Sequence, residues 1–225
     1  MEIKAEGIAR TFFRKGRGTN FFYAVHPTDL TLRSGTLTAV VGKSGSGKTT
    51  LANMLCGLLR PTEGRVLFGG EDVYAWDDRR RSEWRSRKIG VVPQVSSGLQ
   101  SLTVLENVLL PAAMYGGADK SSFARELLRT LGIEELSDVY AGELSGGEAR
   151  RMAVARALIN TSELIVADEP TGDLDPDMTR TVFGLLRNAA EKGAAVLLIT
   201  HEENAAAFAD RVFVMEKGSL VNCED

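Results

Sequence analysis

A chain of 225 residues with 44% apolar residues is long enough to bury a core and sits near the size at which one domain begins to subdivide, so one domain carrying a lobe is expected. The formal charge of -3 argues against nucleic acid as the main partner, because phosphate backbones are held chiefly by a surplus of Lys and Arg. Only two cysteines occur, Cys56 and Cys223, without paired spacing or neighbouring histidines, which predicts neither a disulfide framework nor a zinc site and points to a reducing compartment.

The first residues intersperse charges where a signal peptide needs an apolar stretch, and no run approaches the roughly 18 apolar residues of a membrane span, so the chain is not expected to cross a membrane by itself. Segments 2–5, 21–25 and 65–68, separated by turn-rich stretches at 14–19 and 61–64, predict a small antiparallel sheet. Strands are then expected at 37–41, 89–92, 164–167, 194–200 and 211–215, several of them apolar on both faces, as buried parallel strands are. Helices are expected at 49–59, 104–114, 121–131, 146–160 and 177–192, the second and third with apolar residues at helical spacing; the basic stretch 79–88, preceded by Trp76 and interrupted by Trp84, reads first as a charged, solvated helix, with contact to a membrane protein or lipid headgroups and contact to nucleic acid as the alternatives. Alternating strands and helices predict an α/β fold with a mostly parallel core sheet. The helical block 94–144 reads as a lobe inserted into a core formed by 1–93 and 145–225.

Chemistry concentrates in three places. Gly42, Lys43, Ser44, Gly45, Ser46, Gly47, Lys48 and Thr49, followed by Thr50, match the pattern G-x-x-x-x-G-K-[ST] between an apolar strand and a helix. Glycines let the backbone curl so that its N–H groups face phosphate oxygens at the positive end of the helix dipole. Lys48 is then placed to reach the β- and γ-phosphates of a nucleotide and Thr49 to ligate Mg²⁺. The strand at 164–167 ends in Asp168 and Glu169, beyond the carboxyl end of a strand where open α/β sheets bind ligands. Asp168 suits Mg²⁺ and Glu169 suits polarising the water that attacks the γ-phosphate. Leu144, Ser145, Gly146, Gly147 and Glu148 open another helix with a good N-cap and two glycines, a second anion-binding start. One nucleotide does not need two such cradles on one chain, so the second is expected to close the site of a partner molecule.

In order, the cradle, Val92-Pro93-Gln94, Leu144 to Glu148, Asp168 to Asp175 and Ile199-Thr200-His201 resemble the nucleotide-binding domain of ABC transporters across essentially the whole chain. The resemblance implies a P-loop NTPase fold with a small N-terminal antiparallel β-subdomain and an inserted α-helical subdomain. It also implies ATP and Mg²⁺ as ligands, a second nucleotide-binding subunit, expected to form a homodimer, and integral-membrane permease subunits, with the chain peripheral on the cytoplasmic side of the membrane. It makes Gln94 a loop glutamine that contacts Mg²⁺ or the attacking water, and His201 the histidine that contacts the γ-phosphate and supports Glu169. Asp173, Leu174 and Asp175 become the loop that crosses to the other subunit. Phe12 resembles the aromatic that stacks on adenine, with Phe13 and Tyr23 as competing candidates, while His26 reads as structural. The stretch Glu148-Ala149-Arg150-Arg151 departs from the pattern, since many relatives carry glutamines there. Residues 101–108 and 170–175 most resemble the branch serving lipoprotein release, macrolide or peptide efflux and haem export. The competing expectations are a non-transport ABC ATPase acting on nucleic acid or ribosomes, a binding-only regulator and a P-loop kinase; the first usually carries long coiled-coil insertions or tandem cassettes, which this sequence lacks.

Overall fold

The computed structural model describes residues 2–13, 21–95, 98–114 and 117–222; the turn-rich stretch 14–19 and Cys223 lie outside the described residues. The strands are β1 (Glu2–Phe13), β2 (Phe21–Arg33), β3 (Leu37–Val41), β4 (Glu63–Phe68), β5 (Glu71–Asp72), β6 (Ile89–Val92), β7 (Leu164–Asp168), β8 (Ala195–Thr200), β9 (Arg211–Glu216) and β10 (Ser219–Asn222). The helices are α1 (Lys48–Leu55), α2 (Asp78–Lys88), α3 (Val104–Ala113), α4 (Ser121–Thr130), α5 (Gly146–Leu158) and α6 (Pro176–Glu191). β2-β1-β4-β5 form an antiparallel sheet, and β10-β9-β3-β8-β7-β6 form a second sheet that is parallel except for its β10 edge.

β7 and β8 are buried along their whole length. Strand alternation divides their side chains between two cores: Ile165, Ala167, Val196 and Leu198 pack with α3 to α6, whereas Leu164, Val166, Leu197 and Ile199 pack with α1 and the antiparallel sheet. Both faces being covered, the sequence of these strands is continuously apolar instead of alternating.

The helix starts follow local chemistry. Thr103 with Glu106 and Ser145 with Glu148 make reciprocal capping boxes, and Asp175 caps α6 ahead of Pro176. α1 ends at Leu55, short of the expected residue 59, because Gly57 takes φ +71° and the chain turns back so that Leu58 and Leu59 donate to the Asn53 carbonyl. Its apolar continuation misled the periodicity, and Leu58 is exposed. β1 and β2 run well past the short segments expected and stay paired through register shifts between Ala5 and Ile8, Ile8 and Arg10, and Arg10 and Thr11.

One backbone crossing here is intolerant. Gly64 has φ +75°, and a Cβ on it falls within 3.0 Å of the carbonyl oxygens of Glu6 and Gly7, where β4 crosses the β1 bulge. Gly64→Ala is expected to cost about 2–4 kcal/mol, lowering Tm by about 5–15 °C in a thermal melt. An unchanged Tm removes this crossing as a constraint.

Candidate active site

The sheet order brings distant segments to one edge. β8 lies between β3 and β7, with Val41 opposite Thr200 and Asp168 opposite Ile199. The glycine loop after β3, His201 after β8, Glu169 after β7 and Gln94 beyond β6 therefore leave the sheet side by side.

In the loop, Gly42, Gly45 and Gly47 take φ of 151°, 77° and 109°. A Cβ on Gly42 or Gly47 falls within 3.0 Å of the carbonyl oxygens of Met215 or Ala24, so β9 and β2 press directly on the loop. The Lys48 ammonium is buried and donates to the carbonyls of Gly42 at 2.6 Å and Lys43 at 3.1 Å, so it sits under the curl it has to serve. Ser46 is buried in the same loop with its Oγ unpaired among the described residues.

Asp168 is 5% exposed, and its Oδ1 has no hydrogen-bond partner among the described residues. Burial pushes its carboxyl above the ordinary aspartate range, with a hydrogen bond from Thr49 acting in the opposite direction. Gln94 Oε1 lies 3.5 Å from Thr49 Oγ1. Thr49, Gln94 and Asp168 are hard oxygen donors beside a phosphate loop, which fits Mg²⁺, an ion that keeps much of its water and takes few protein ligands. No cluster of three or more His, Cys, Asp and Glu side chains suited to a metal occurs among the described residues, so any such ion would depend on substrate oxygens as well.

Glu169 sits at φ +49°, its N–H donating to the Ile199 carbonyl at 2.8 Å. That uncommon backbone holds its carboxylate 2.9 Å from His201 Nδ1. The His201 side chain is 70% exposed, so its ring faces the cleft with Glu169 as its recorded partner.

A cleft of about 980 Å³ joins these groups, lined among others by Phe12, Lys43 to Gly45, Gly47 to Thr50, Gln94, Asp168, Glu169 and His201. Of the aromatic candidates, Phe12 and Tyr23 line it, whereas Phe13 pairs with Phe21 at 5.4 Å on the opposite face of the ribbon. Phe12 faces Phe22 across the strand pair at 6.1 Å, and the Arg10 guanidinium lies 4.8 Å from its ring. The His26 ring stacks on Tyr23 at 4.8 Å, and its backbone N–H donates to the Gly218 carbonyl at 2.8 Å. Phe22, Arg150 and Lys217 also line the cleft, and sequence reasoning did not place them there. Phe22 reaches it only through its register with Phe12, and Lys217 only through the β9–β10 turn.

Residues 144–148 do not line this cleft. Ser145 and Gly146 are exposed, and the Ser145 hydroxyl and N–H donate to Glu148 Oε2 at 2.7 and 2.8 Å, which holds that carboxylate below its usual range. A Cβ on Gly146 would meet nothing within 4 Å, and on Gly147 only ordinary contacts with Asp173 and Leu174 at 3.6 and 3.7 Å. Asp173 and Leu174 of the expected crossing loop thus adjoin Gly147, and Asp175 caps α6.

A glycine loop over a buried lysine, a strand-end Asp-Glu pair and a histidine on the glutamate define a P-loop nucleotide hydrolase. The sequence matches the family described as "ABC transporter" over residues 25–172. It is 40% identical over 224 residues to the lipoprotein-releasing system ATP-binding protein LolD 1 of Caulobacter vibrioides, covering 98% of this chain and 94% of that one. It is 37% identical to the macrolide export ATP-binding/permease protein MacB 2 of Aeromonas hydrophila, covering 97% of this chain and 34% of that one. The fold superposes with a TM-score of 0.89, at 32% identity and 98% coverage of both chains, on the dimeric post-hydrolysis state of the ATP-binding cassette MJ0796 bound to ADP and Pi. The chain belongs to the ABC transporter family, as an ATP-binding subunit that hydrolyses ATP. No helix among the described residues is long and apolar enough to cross a membrane.

Proposed function

We propose that two copies of this chain sandwich two ATP molecules, each between the glycine loop of one copy and Ser145 to Glu148 of the other, and so drive a separate membrane permease. The observation that carries this reading is the pair of glycines at 146 and 147: they open a helix where glycine is unfavourable, and nothing among the described residues comes close enough to require them. A ligand or chain from outside explains them. The dimeric, product-bound cassette supports the same arrangement.

In this reading Lys48 and the loop amides bind the β- and γ-phosphates, Phe12 stacks on adenine, and Thr49, Gln94 and Asp168 hold Mg²⁺. The ion would supply neutralisation of charge on the transferred phosphoryl group. Glu169 orients and deprotonates the attacking water, and His201 fixes the Glu169 carboxylate while facing the γ-phosphate. Asp173, Leu174 and Asp175 meet the second copy. Closure driven by the γ-phosphate and release after its loss make the power stroke, with residues 94–144 as the lobe that senses the permease and 1–93 with 145–225 as the ATP-binding core. Likeness to LolD 1 and to MacB 2 supports the branch for lipoprotein release and macrolide export, and in this reading the chain works peripherally on the cytoplasmic face of the membrane.

Recovery of the chain from detergent-extracted membranes in a complex with a permease tests the function, and recovery with DNA or ribosomes instead overturns it. Because burial raises the Asp168 carboxyl, acidification is expected to neutralise this Mg²⁺ ligand at a pH above the ordinary aspartate range. The Mg²⁺ concentration giving half-maximal turnover should rise as the pH falls, and Asp168→Asn should flatten that dependence; identical pH profiles for the two proteins exclude Asp168 as a ligand.

A further inference from the structure

Arg150 lies in α5, five residues beyond the Ser145 cap, and its side chain turns inward to its own chain's cleft. Its Nη1 donates to the Gln94 carbonyl at 2.6 Å, to the Glu169 carbonyl at 3.0 Å and, at the long limit, to the Pro93 carbonyl at 3.4 Å. Those acceptors belong to two different strand ends, the loop after β6 and the turn after β7. One guanidinium therefore joins the helix that begins at Ser145, the peptide that carries Gln94 and the peptide that carries Glu169.

Two features make this more than a surface contact. The Nε of Arg150 is buried and unpaired among the described residues, so the side chain accepts a desolvation cost to reach those carbonyls. The Glu169 carbonyl it grips belongs to the residue at φ +49°, whose backbone orientation decides where the carboxylate points. The three carbonyls, arriving from separate elements, converge on this one terminal nitrogen, which a lysine ammonium could replace in part, whereas a glutamine amide is shorter.

We propose that Arg150 is a positioning residue that couples the start of α5 to the hydrolytic glutamate of its own chain. Engagement of Ser145 with the partner's nucleotide displaces or steadies α5, and Arg150 transmits that state to Gln94 and Glu169, so each composite site senses the other. The inference rests on the two-chain reading above. It assigns Arg150 no contact with substrate and no proton.

The test compares Arg150→Ala and Arg150→Lys with the unaltered full-length chain, measuring steady-state ATP turnover, its dependence on ATP concentration, equilibrium binding of a fluorescent ATP analogue and thermal melting. Arg150→Ala is expected to lower kcat by about tenfold or more and bring the Hill coefficient toward one, while analogue affinity stays within about threefold. Arg150→Lys should recover part of kcat. Unchanged kcat and cooperativity in a folded Arg150→Ala protein overturn the proposal. So does a parallel loss of turnover, affinity and melting temperature in both variants, which marks a merely structural arginine. If Arg150→Ala does not fold, Arg150→Lys decides alone: kcat reduced with affinity kept supports the coupling, and wild-type kinetics overturn it. An unaltered chain that hydrolyses ATP without cooperativity as a monomer overturns the two-chain reading together with this one, whereas cooperative turnover in both the unaltered chain and Arg150→Ala overturns this one alone.

Discussion

Glu169→Gln is expected to cut ATP turnover by about 10²- to 10⁴-fold while ATP-dependent pairing of the chain persists. The amide keeps the size and position of the carboxylate, and the glycine loop, Lys48 and the start of α5 are untouched, so nucleotide binding should survive. What disappears is the charge that accepts a proton from water 2.9 Å from an imidazole partner. In the proposed cycle hydrolysis separates the copies, so slowing it should lengthen the life of the ATP-bound pair, and size-exclusion chromatography with ATP and Mg²⁺ should show a larger species than for the unaltered chain. Wild-type turnover by the variant removes Glu169 from the proposed role. Lost turnover without pairing would instead break the link between γ-phosphate occupancy and closure.

Gly146→Ala should move stability and activity in opposite directions. Gly146 is the first residue of α5, and a Cβ there meets nothing within 4 Å among the described residues. Alanine is a better helix residue by up to about 1 kcal/mol, less in a first turn, so Tm should stay level or rise slightly. If a partner's triphosphate must approach these exposed amides, the added methyl obstructs it, and turnover should fall by about tenfold or more, with single-chain nucleotide binding retained. Gly47→Ala is the contrasting case. There φ is +109° and the Cβ collides with the Ala24 carbonyl, so folding of the loop and nucleotide binding should both suffer. Full activity in a folded Gly146→Ala protein would remove the reason for placing another molecule against α5.

The elements of the core were readable because their signals are local. Strands apolar on both faces mark burial between helices, and a cap such as Ser145 marks a helix start. The G-x-x-x-x-G-K-[ST] loop and the Asp168-Glu169 strand end were legible for the same reason: phosphate and metal chemistry restricts contiguous residues. What was misjudged lay where a later turn overrides periodicity, as at Gly57, or where a bulged ribbon lacks alternation, as in β1 and β2.

By itself, then, the sequence determined that the chain is an α/β nucleotide-binding protein with a phosphate loop and a second, glycine-opened helix start, because backbone curl, dipole and hydrogen-bond donors are properties of short segments. Only the tertiary structure decided which strand ends stand together: inserting β8 between β3 and β7 sets His201 on Glu169, and strand register brings Phe22 beside Phe12. It also decided that Arg150 reaches back to Gln94 and Glu169, whereas Ser145 stays outside the cleft. Contacts between residues far apart in the chain depend on how sheets and helices pack, and no local spacing records that.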